Sequence, residues 1–580
     1  VNLDLCDGDE GRVWLADLDR GLAWREALEA HLLRLDLVRA ERLMQVLKEG
    51  RGAWLALVLE QATRRVWFVG NALSGAVLVL ARLGAHVTVF DPSAERGALA
   101  QARDRSHASG ALVFERWTRA TFDEPRAAPD LCVVEGPPPA DLGGDAALFA
   151  RFAALRVPRV FAVVDNRFSY KRSTGVRAQL RVQSPVAFAR RALFGSERSL
   201  GGTRRALARF GEAHALALYP HRWDFSHVVD VDDPRGPQLF IGPGERTNRA
   251  KMFALRAGLF AWLAPSFAVG GPRATHTLQD DWIAALREQS GVEPGRVEHL
   301  VATRGNNALL LTSAGLAVHV PLGPDQERQM RRHHALLAHV QSHVPGLAVP
   351  RPVWAGDVNG VFVQVESRVG AINGAQLVHE SQRERVMLPQ CAELLARAVV
   401  SEARMPNAAE LEDLVSERAR AAAVRAGREE TARALLALGE RCAAALGSIT
   451  FPRVFGHNDL RAKHVAVDER GNALALLDLG CARTSDLPFV DLLNLVLHDH
   501  KDHAHKDHAN TGLGAAWRAA RERRLPPALE AVLDRYAEIL ALPRAYTDAM
   551  RAAYPVFVAA AAEQNWDYSR PRWVHRQLAL

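Results

Sequence analysis

At 580 residues the chain is longer than one hydrophobic core can organise, because cores stop growing at ~250–300 residues, so two or three domains are expected. Apolar residues at 48% and charged residues at 24% exclude bulk disorder. The net charge of +7 is spread along the chain rather than gathered in a stripe, so nucleic acid is not an expected partner. The five cysteines, Cys6, Cys132, Cys391, Cys442 and Cys481, form no CxxC pair and carry no metal or disulfide signature, which fits a reducing cytoplasm. No charged-then-apolar leader opens the sequence, and apolar runs such as 553–562 fall short of the ~20 residues a bilayer needs, so no membrane partner is expected.

From Val13 to Gln61 apolar positions recur at helical spacing, as in Trp24, Leu28, Leu32 and Leu35, and predict a helical lead-in over residues 1–62. The period then changes. Arg65–Gly70 is a predicted buried strand, Gly75–Gly84 a helix and His86–Asp91 a second strand, the opening of a parallel α/β sheet. Asp130–Glu135 and Arg159–Asp165 continue it, and the α/β domain is placed at residues 63–272. A linker at 273–293 carries a short helix, Gln279–Gln289. Beyond residue 294, strands are predicted over Arg296–Pro321 and Val361–Glu366, a helix over Asp325–Val344, mostly helix from Val386 to Leu446, and short strands near Val465 and Leu474. The tandem copy of His500-Lys501-Asp502-His503-Ala504 at 505–509 reads as a solvated loop, with a weaker metal-binding alternative.

The first strand and turn, Val66 through Gly70-Asn71-Ala72-Leu73-Ser74-Gly75, with Asp91 ending the next strand, permit two readings. One is a dinucleotide turn for NAD or FAD, with backbone approaching a pyrophosphate and Asp91 on the ribose. In the other, the segment resembles motif I of class I methyltransferases, which implies S-adenosylmethionine held by Gly70, Asn71, Ala72 and Gly75, with Asp91 on the ribose and Glu135 at a neighbouring strand end. Asp165-Asn166-Arg167-Phe168, Leu218-Tyr219-Pro220-His221 and 247–251 resemble methyltransferases found beside surface-glycan genes, which favours the second reading. Two departures from that pattern are Phe68, where motif I usually opens with an acidic residue, and Ala72 and Ser74, which replace turn glycines with side chains that would crowd the cofactor.

In the C-terminal half, Gly456-His457-Asn458-Asp459-Leu460-Arg461-Ala462-Lys463-His464 is followed by Leu477-Asp478-Leu479-Gly480. Phosphoryl transfer needs one carboxylate to orient the accepting hydroxyl and another to hold the metal that bridges the phosphates. Together with Asp486-Leu487-Pro488, Asp491 and the stretches Val349–Pro352 and Val363–Gly370, these motifs resemble the aminoglycoside phosphotransferase and choline kinase superfamily. The resemblance implies a two-lobed α+β kinase fold over residues 294–580, with Asp459 as catalytic base, His457 shaping the loop, Asp478 and His464 at the metal, and ATP with Mg²⁺ or Mn²⁺. Asp459 and Asp478 are expected to face one cleft. His319 stands where the family's phosphate-binding Lys is expected, and no Lys occurs between Lys251 and Lys463. His464 replaces the usual Asn; imidazole is a poor Mg²⁺ ligand and suits Mn²⁺ better.

The combined expectation is a Rossmann-like, methyltransferase-type α/β half fused to a kinase-like half, acting on a small-molecule or glycan acceptor in glycan or specialised-metabolite biosynthesis. A catalytically degenerate scaffold is the alternative.

Overall fold

The computed structural model describes residues 6–107, 110–118, 121–122, 127–136, 144–168, 171–173, 180–182, 199–222, 225–233, 257, 259–303, 306–370, 372–377, 379–424, 426, 428–504 and 512–564. The prolines at 137–139, the segment at 247–251, residues 304–305 and the second His/Asp repeat lie outside them. The chain forms two compact units: Val1–Ile241, Thr247–Glu327 and Trp354–Val365 make the first, and Gly242–Arg246, Arg328–Val353 and Glu366–Leu580 the second.

The first unit opens with the expected helices, α1 (Gly8–Asp19), α2 (Trp24–Arg34) and α3 (Leu37–Leu47), then a 3-10 segment, Glu49–Leu57. Asp7 and Asp36 cap α1 and α3 by accepting backbone N–H groups. The α/β elements follow in the order read from sequence: β1 (Arg65–Val69), α4 (Gly75–Arg82), β2 (His86–Asp91), α5 (Ala94–Ser106), β3 (Leu112–Arg116), β4 (Leu131–Glu135), α6 (Gly144–Ala154) and β5 (Val160–Asp165). β6 (Lys171–Ser173) and β7 (Leu180–Val182) form a separate ladder; β8 (His214–Tyr219), β9 (His227–Asp230) and β10 (Ser266–Gly271) return to the main sheet.

Strands β3-β2-β1-β4-β5 are parallel, and the order reverses between β1 and β4. Their buried apolar runs, Val66–Val69 and Leu131–Val134, are those of strands covered on both faces. β10 then runs antiparallel between β5 and β8. One face carries an aromatic core in which Trp67, Phe90, Phe122 and Phe152 meet, with Phe90 and Phe122 centroids 4.8 Å apart.

The boundary at residue 294 differs from the reading above. β11 (Val297–Ala302), β12 (Asn307–Thr312) and β13 (Leu316–Pro321) continue the same sheet, because β9 presents an edge that β11 pairs through Leu300↔Val228 and Val301↔His227. β14 (Pro352–Val358) and β15 (Val361–Ser367) complete thirteen strands among the described residues. An unpaired edge would leave backbone groups to water or to another chain, and this pairing removes it.

The second unit is mainly helical around one large core from Leu336 to Ala559. It contains most of helix Pro324–His343 and helices Leu388–Ala396, Glu417–Val424, Glu429–Leu446, Val490–Ala504, Leu513–Arg521, Pro527–Ile539 and Arg544–Gln564. Within the stretch read as mostly helical, residues Val399–Arg404 instead form β17, pairing with β18 (Phe451–Gly456), which also pairs with β21 (Arg483–Asp486). β16 (Ile372–Asn373), β19 (Val465–Val467) and β20 (Ala473–Leu476) form a second small sheet. Among the described residues no helix is long and apolar enough to cross a membrane.

Candidate functional site

The loop between β18 and β19 carries the residues singled out above, and its backbone is held by buried carboxylates. Asp491, in the first turn of Val490–Ala504, accepts from the backbone N–H of His457 at 2.6 Å and of Asn458 at 2.7 Å. Asn458 occupies the left-handed region at φ 62° and donates through its side chain to Asp486, at 2.8 Å. Asp486 is itself bound by both of its oxygens to Arg418. On the far side, Asn494 donates to the Leu460 carbonyl at 2.8 Å and accepts from the Tyr554 hydroxyl at 2.7 Å.

This frame fixes three imidazoles. His457 is fully buried; its Nε2–H donates to the Leu477 carbonyl at 2.8 Å, and its Nδ1 accepts from Asp459 N at 3.3 Å. Both hydrogen bonds of the His457 ring are thus to backbone, of this loop and of Leu477 just after β20. His464 stacks beside it, with centroids 5.7 Å apart, and donates from Nδ1 to the Asp459 carbonyl at 2.7 Å. That bond leaves the Nε2 lone pair of a neutral ring facing Asp478 Oδ2 at 3.4 Å. Burial, and next the Lys463 charge, push His464 down to about 4, so the ring is neutral near pH 7. The third, His333, accepts from Leu479 N at 3.0 Å and meets the buried Glu366 at 2.8 Å. Burial opposes protonation of His333, but Glu366 outweighs it and raises the ring above its ordinary value.

Asp459 and Asp478 converge on His464 within the second unit. The Nδ1 of His464 lies 3.9 Å from Asp459 Oδ2, while its Nε2 faces Asp478. Asp459 is largely buried and bound by Arg461 through Nε at 2.8 Å and through a second guanidinium nitrogen. Burial raises its carboxyl, but Arg461, His464 and Lys463 prevail and hold it well below the usual carboxylate range. Asp478 is exposed and left-handed at φ 61°, a conformation that costs a non-glycine residue about 1–2 kcal/mol and recurs at functional sites. Arg461, Asp491 and the His333–Glu366 pair were not given roles from sequence. The charge two positions after Asp459 was visible there, whereas His333 and Glu366 lie 33 residues apart with no local signal.

Residues 303–526 match the phosphotransferase enzyme family. The matched segment contains the whole loop, both carboxylates and the imidazoles around them. Among solved structures, aminoglycoside phosphotransferase APH(3'')-Id from Streptomyces rimosus is 15% identical over 47% of this chain and 97% of its own, with a TM-score of 0.30. Macrolide 2'-phosphotransferase MphH from Brachybacterium faecium is 18% identical over 51% of this chain and 98% of its own, at 0.33. WbdD, solved with the kinase inhibitor LY294002, is 11% identical over 86% of this chain and 88% of its own, at 0.25. No curated protein matches the chain.

The remaining sequence candidates lie in the first unit. His319 is half-buried on β13, opposite Leu309. At the β1–α4 turn, Gly70 takes φ 155° and its N–H donates to the Phe90 carbonyl at 3.1 Å. Asn71 accepts from Leu73 N at 2.9 Å, and Ala72 N donates to Asp91 at 2.7 Å. Asp91 is wholly buried and also binds Ser93 N and the Arg96 guanidinium, with the closest Arg96 contact at 2.6 Å. Glu135 pairs with the buried Arg51. Gly75 lies under the backbone of the lead-in, where a Cβ would stand 1.9 Å from the Lys48 carbonyl oxygen. The structure thus gathers these residues around one turn and engages both carboxylates with the chain's own arginines. Asn166 is fully buried and donates to the carbonyls of Trp262 and Ala264, each at 2.7 Å.

Proposed function

We propose that the phosphotransferase-family segment moves the terminal phosphoryl group of ATP to a hydroxyl of a small-molecule or glycan acceptor. The observation that carries this reading is the convergence of Asp459 and Asp478 on a single tautomer-fixed imidazole, His464. Asp459 stays ionised and accepts a hydrogen bond from the acceptor hydroxyl, orienting it for attack. Arg461 adds positive charge beside that carboxylate, where transferred-phosphate charge develops.

The donor set at Asp478 fits a divalent cation. A neutral Nε2 lone pair facing a carboxylate oxygen at 3.4 Å is unfavourable unless something positive lies between them. Nitrogen and oxygen together suit Mn²⁺ better than Mg²⁺. When bound, the cation neutralises phosphate charge; Asp478 and His464 would hold it. Calorimetric titration of ATP tests this: affinity should be higher in Mn²⁺ than in Mg²⁺, and Asp478→Asn should remove the metal dependence. Equal ATP affinity with and without metal would contradict the assignment.

For the first unit, the antiparallel strand between β5 and β8 departs from the all-parallel 3-2-1-4-5-6 dinucleotide order and favours the methyltransferase-type reading. We read it as a scaffold of that type rather than a methyl-transferring half. Arg96 occupies Asp91 and the Lys48 backbone covers Gly75, where S-adenosylmethionine would lie. Calorimetry with S-adenosylmethionine should give no heat; micromolar binding would restore the two-enzyme reading.

A further inference from the structure

Three side chains far along the sequence from the phosphotransfer loop meet in the helical lead-in: Cys6, Glu10 and His31, whose ligand atoms all lie within 4.8 Å of one another. Cys6 and His31 are buried, and Glu10 is nearly so. The Cys6 Sγ to His31 Nε2 distance is 3.9 Å and the Nε2 to Glu10 Oε1 distance is 3.5 Å.

The local chain is shaped to hold them there. Cys6 sits at φ 61°, and Gly11 lets it fold back over α1, since a Cβ at Gly11 would stand 2.4 Å from the Cys6 carbonyl oxygen. The His31 ring is fixed by stacking on Trp14, with centroids 4.8 Å apart and planes 13° from parallel. Glu10 is oriented by Arg39, which binds its other oxygen. Yet Glu10 Oε1, 3.5 Å from the His31 ring, has no hydrogen-bond partner in this buried setting. Leaving a buried carboxylate oxygen unsatisfied is costly, so a thiol, imidazole and carboxylate in mere contact do not account for the arrangement.

We infer that Cys6, Glu10 and His31 bind a zinc ion that staples α1 to α2. With Zn–S near ~2.3 Å and Zn–N or Zn–O near ~2.0–2.1 Å, tetrahedral ligand atoms stand ~3.3–3.7 Å apart, which the 3.5 Å Nε2–Oε1 distance matches and the 3.9 Å Sγ–Nε2 distance approaches. Thiolate with imidazole selects zinc over the hard cations of a phosphoryl-transfer site. Binding forms the S–Zn bond and releases the Cys6 thiol proton to solvent; a water completes the four ligands. Because Cys6 is buried, the ion acts on folding rather than on a substrate. The cysteine spacing carried no metal signature because two of the three ligands are not cysteines and His31 comes from a second helix.

Cobalt titration of the chelator-treated full-length chain tests this. Co²⁺ should produce a thiolate-to-metal charge-transfer band that saturates at one equivalent and is displaced by Zn²⁺. Oxygen and nitrogen ligands around Asp478 give no such band, so the two sites are separable. Cys6→Ser should abolish the band, and Glu10→Gln, which preserves shape, should weaken Co²⁺ affinity tenfold or more. The inference is overturned by the absence of a band in a natively folded wild-type chain, by its persistence in Cys6→Ser, or by unchanged affinity in Glu10→Gln.

Discussion

In the proposed transfer Arg461 binds the carboxylate that orients the acceptor, so its charge would set the pH range over which Asp459 works. Replacing it with Met keeps the stem and removes the positive neighbour, which raises the Asp459 carboxyl toward its ordinary value. The acid limb of kcat/KM should therefore move to higher pH in Arg461→Met; a profile identical to wild type would show that Arg461 does not face the working carboxylate. His464 has a parallel consequence. Its Nδ1 bond to the Asp459 carbonyl leaves Nε2 facing Asp478, so with the proposed cation there His464→Asn should shift the ratio of activities toward Mg²⁺ by about tenfold, as expected when an imidazole nitrogen becomes a hard amide oxygen. An unchanged Mn²⁺ to Mg²⁺ ratio would place the cation elsewhere. Asp459, Asp478 and His464 were legible in the sequence because loop motifs place them at fixed spacing. Asp491 was visible only as part of a motif; its function as a clamp on two N–H groups depends on a helix that returns 33 and 34 residues later.

At the level of elements, Gly75 shows how a correct residue type can carry a different reason. A glycine at the start of α4 suggested close approach of a cofactor, and the structure brings the lead-in backbone there instead. Gly75→Ala would drive a Cβ into the Lys48 carbonyl, a contact that backbone must move to relieve, costing about 3 kcal/mol. The apparent Tm should fall by about 5 °C or more, read by calorimetry, and an unchanged Tm would show that the 3-10 segment does not pack on α4. Buried strands such as β1, β2 and β4 were readable because their apolar runs are bounded by turns. β17 was not, since Val399–Arg404 is mostly exposed and its pairing to β18 is irregular, leaving no alternation for sequence to display. The joining of β11 to β9 was equally hidden, because strand pairing across a long insertion has no local signature.

Across the molecule, buried histidines tie stability to pH. Burial, and next the charges of Lys463 and Arg461, lower His464 to about 4 and His498 to about 3. A histidine whose folded value lies below its unfolded value of ~6.5 costs nothing above that pH and destabilises as pH falls, because the unfolded chain binds the proton first. Between pH 6.5 and 5 each contributes a loss of about 2 kcal/mol, while His333, raised by Glu366, works in the opposite direction. The urea midpoint should fall over this interval, and His498→Gln should flatten the fall; an equal slope in the variant would remove His498 from the account. The central claim concerns the loop that collects Asp459, Asp478 and His464, and it is tested most directly by steady-state ATP turnover of wild type and Asp459→Asn in Mn²⁺ and in Mg²⁺. Wild type should turn over in Mn²⁺, more slowly in Mg²⁺ than the ~1–100 s⁻¹ usual for kinases, and Asp459→Asn should lose about a hundredfold or more in Mn²⁺. Turnover that is unchanged in Asp459→Asn would contradict it.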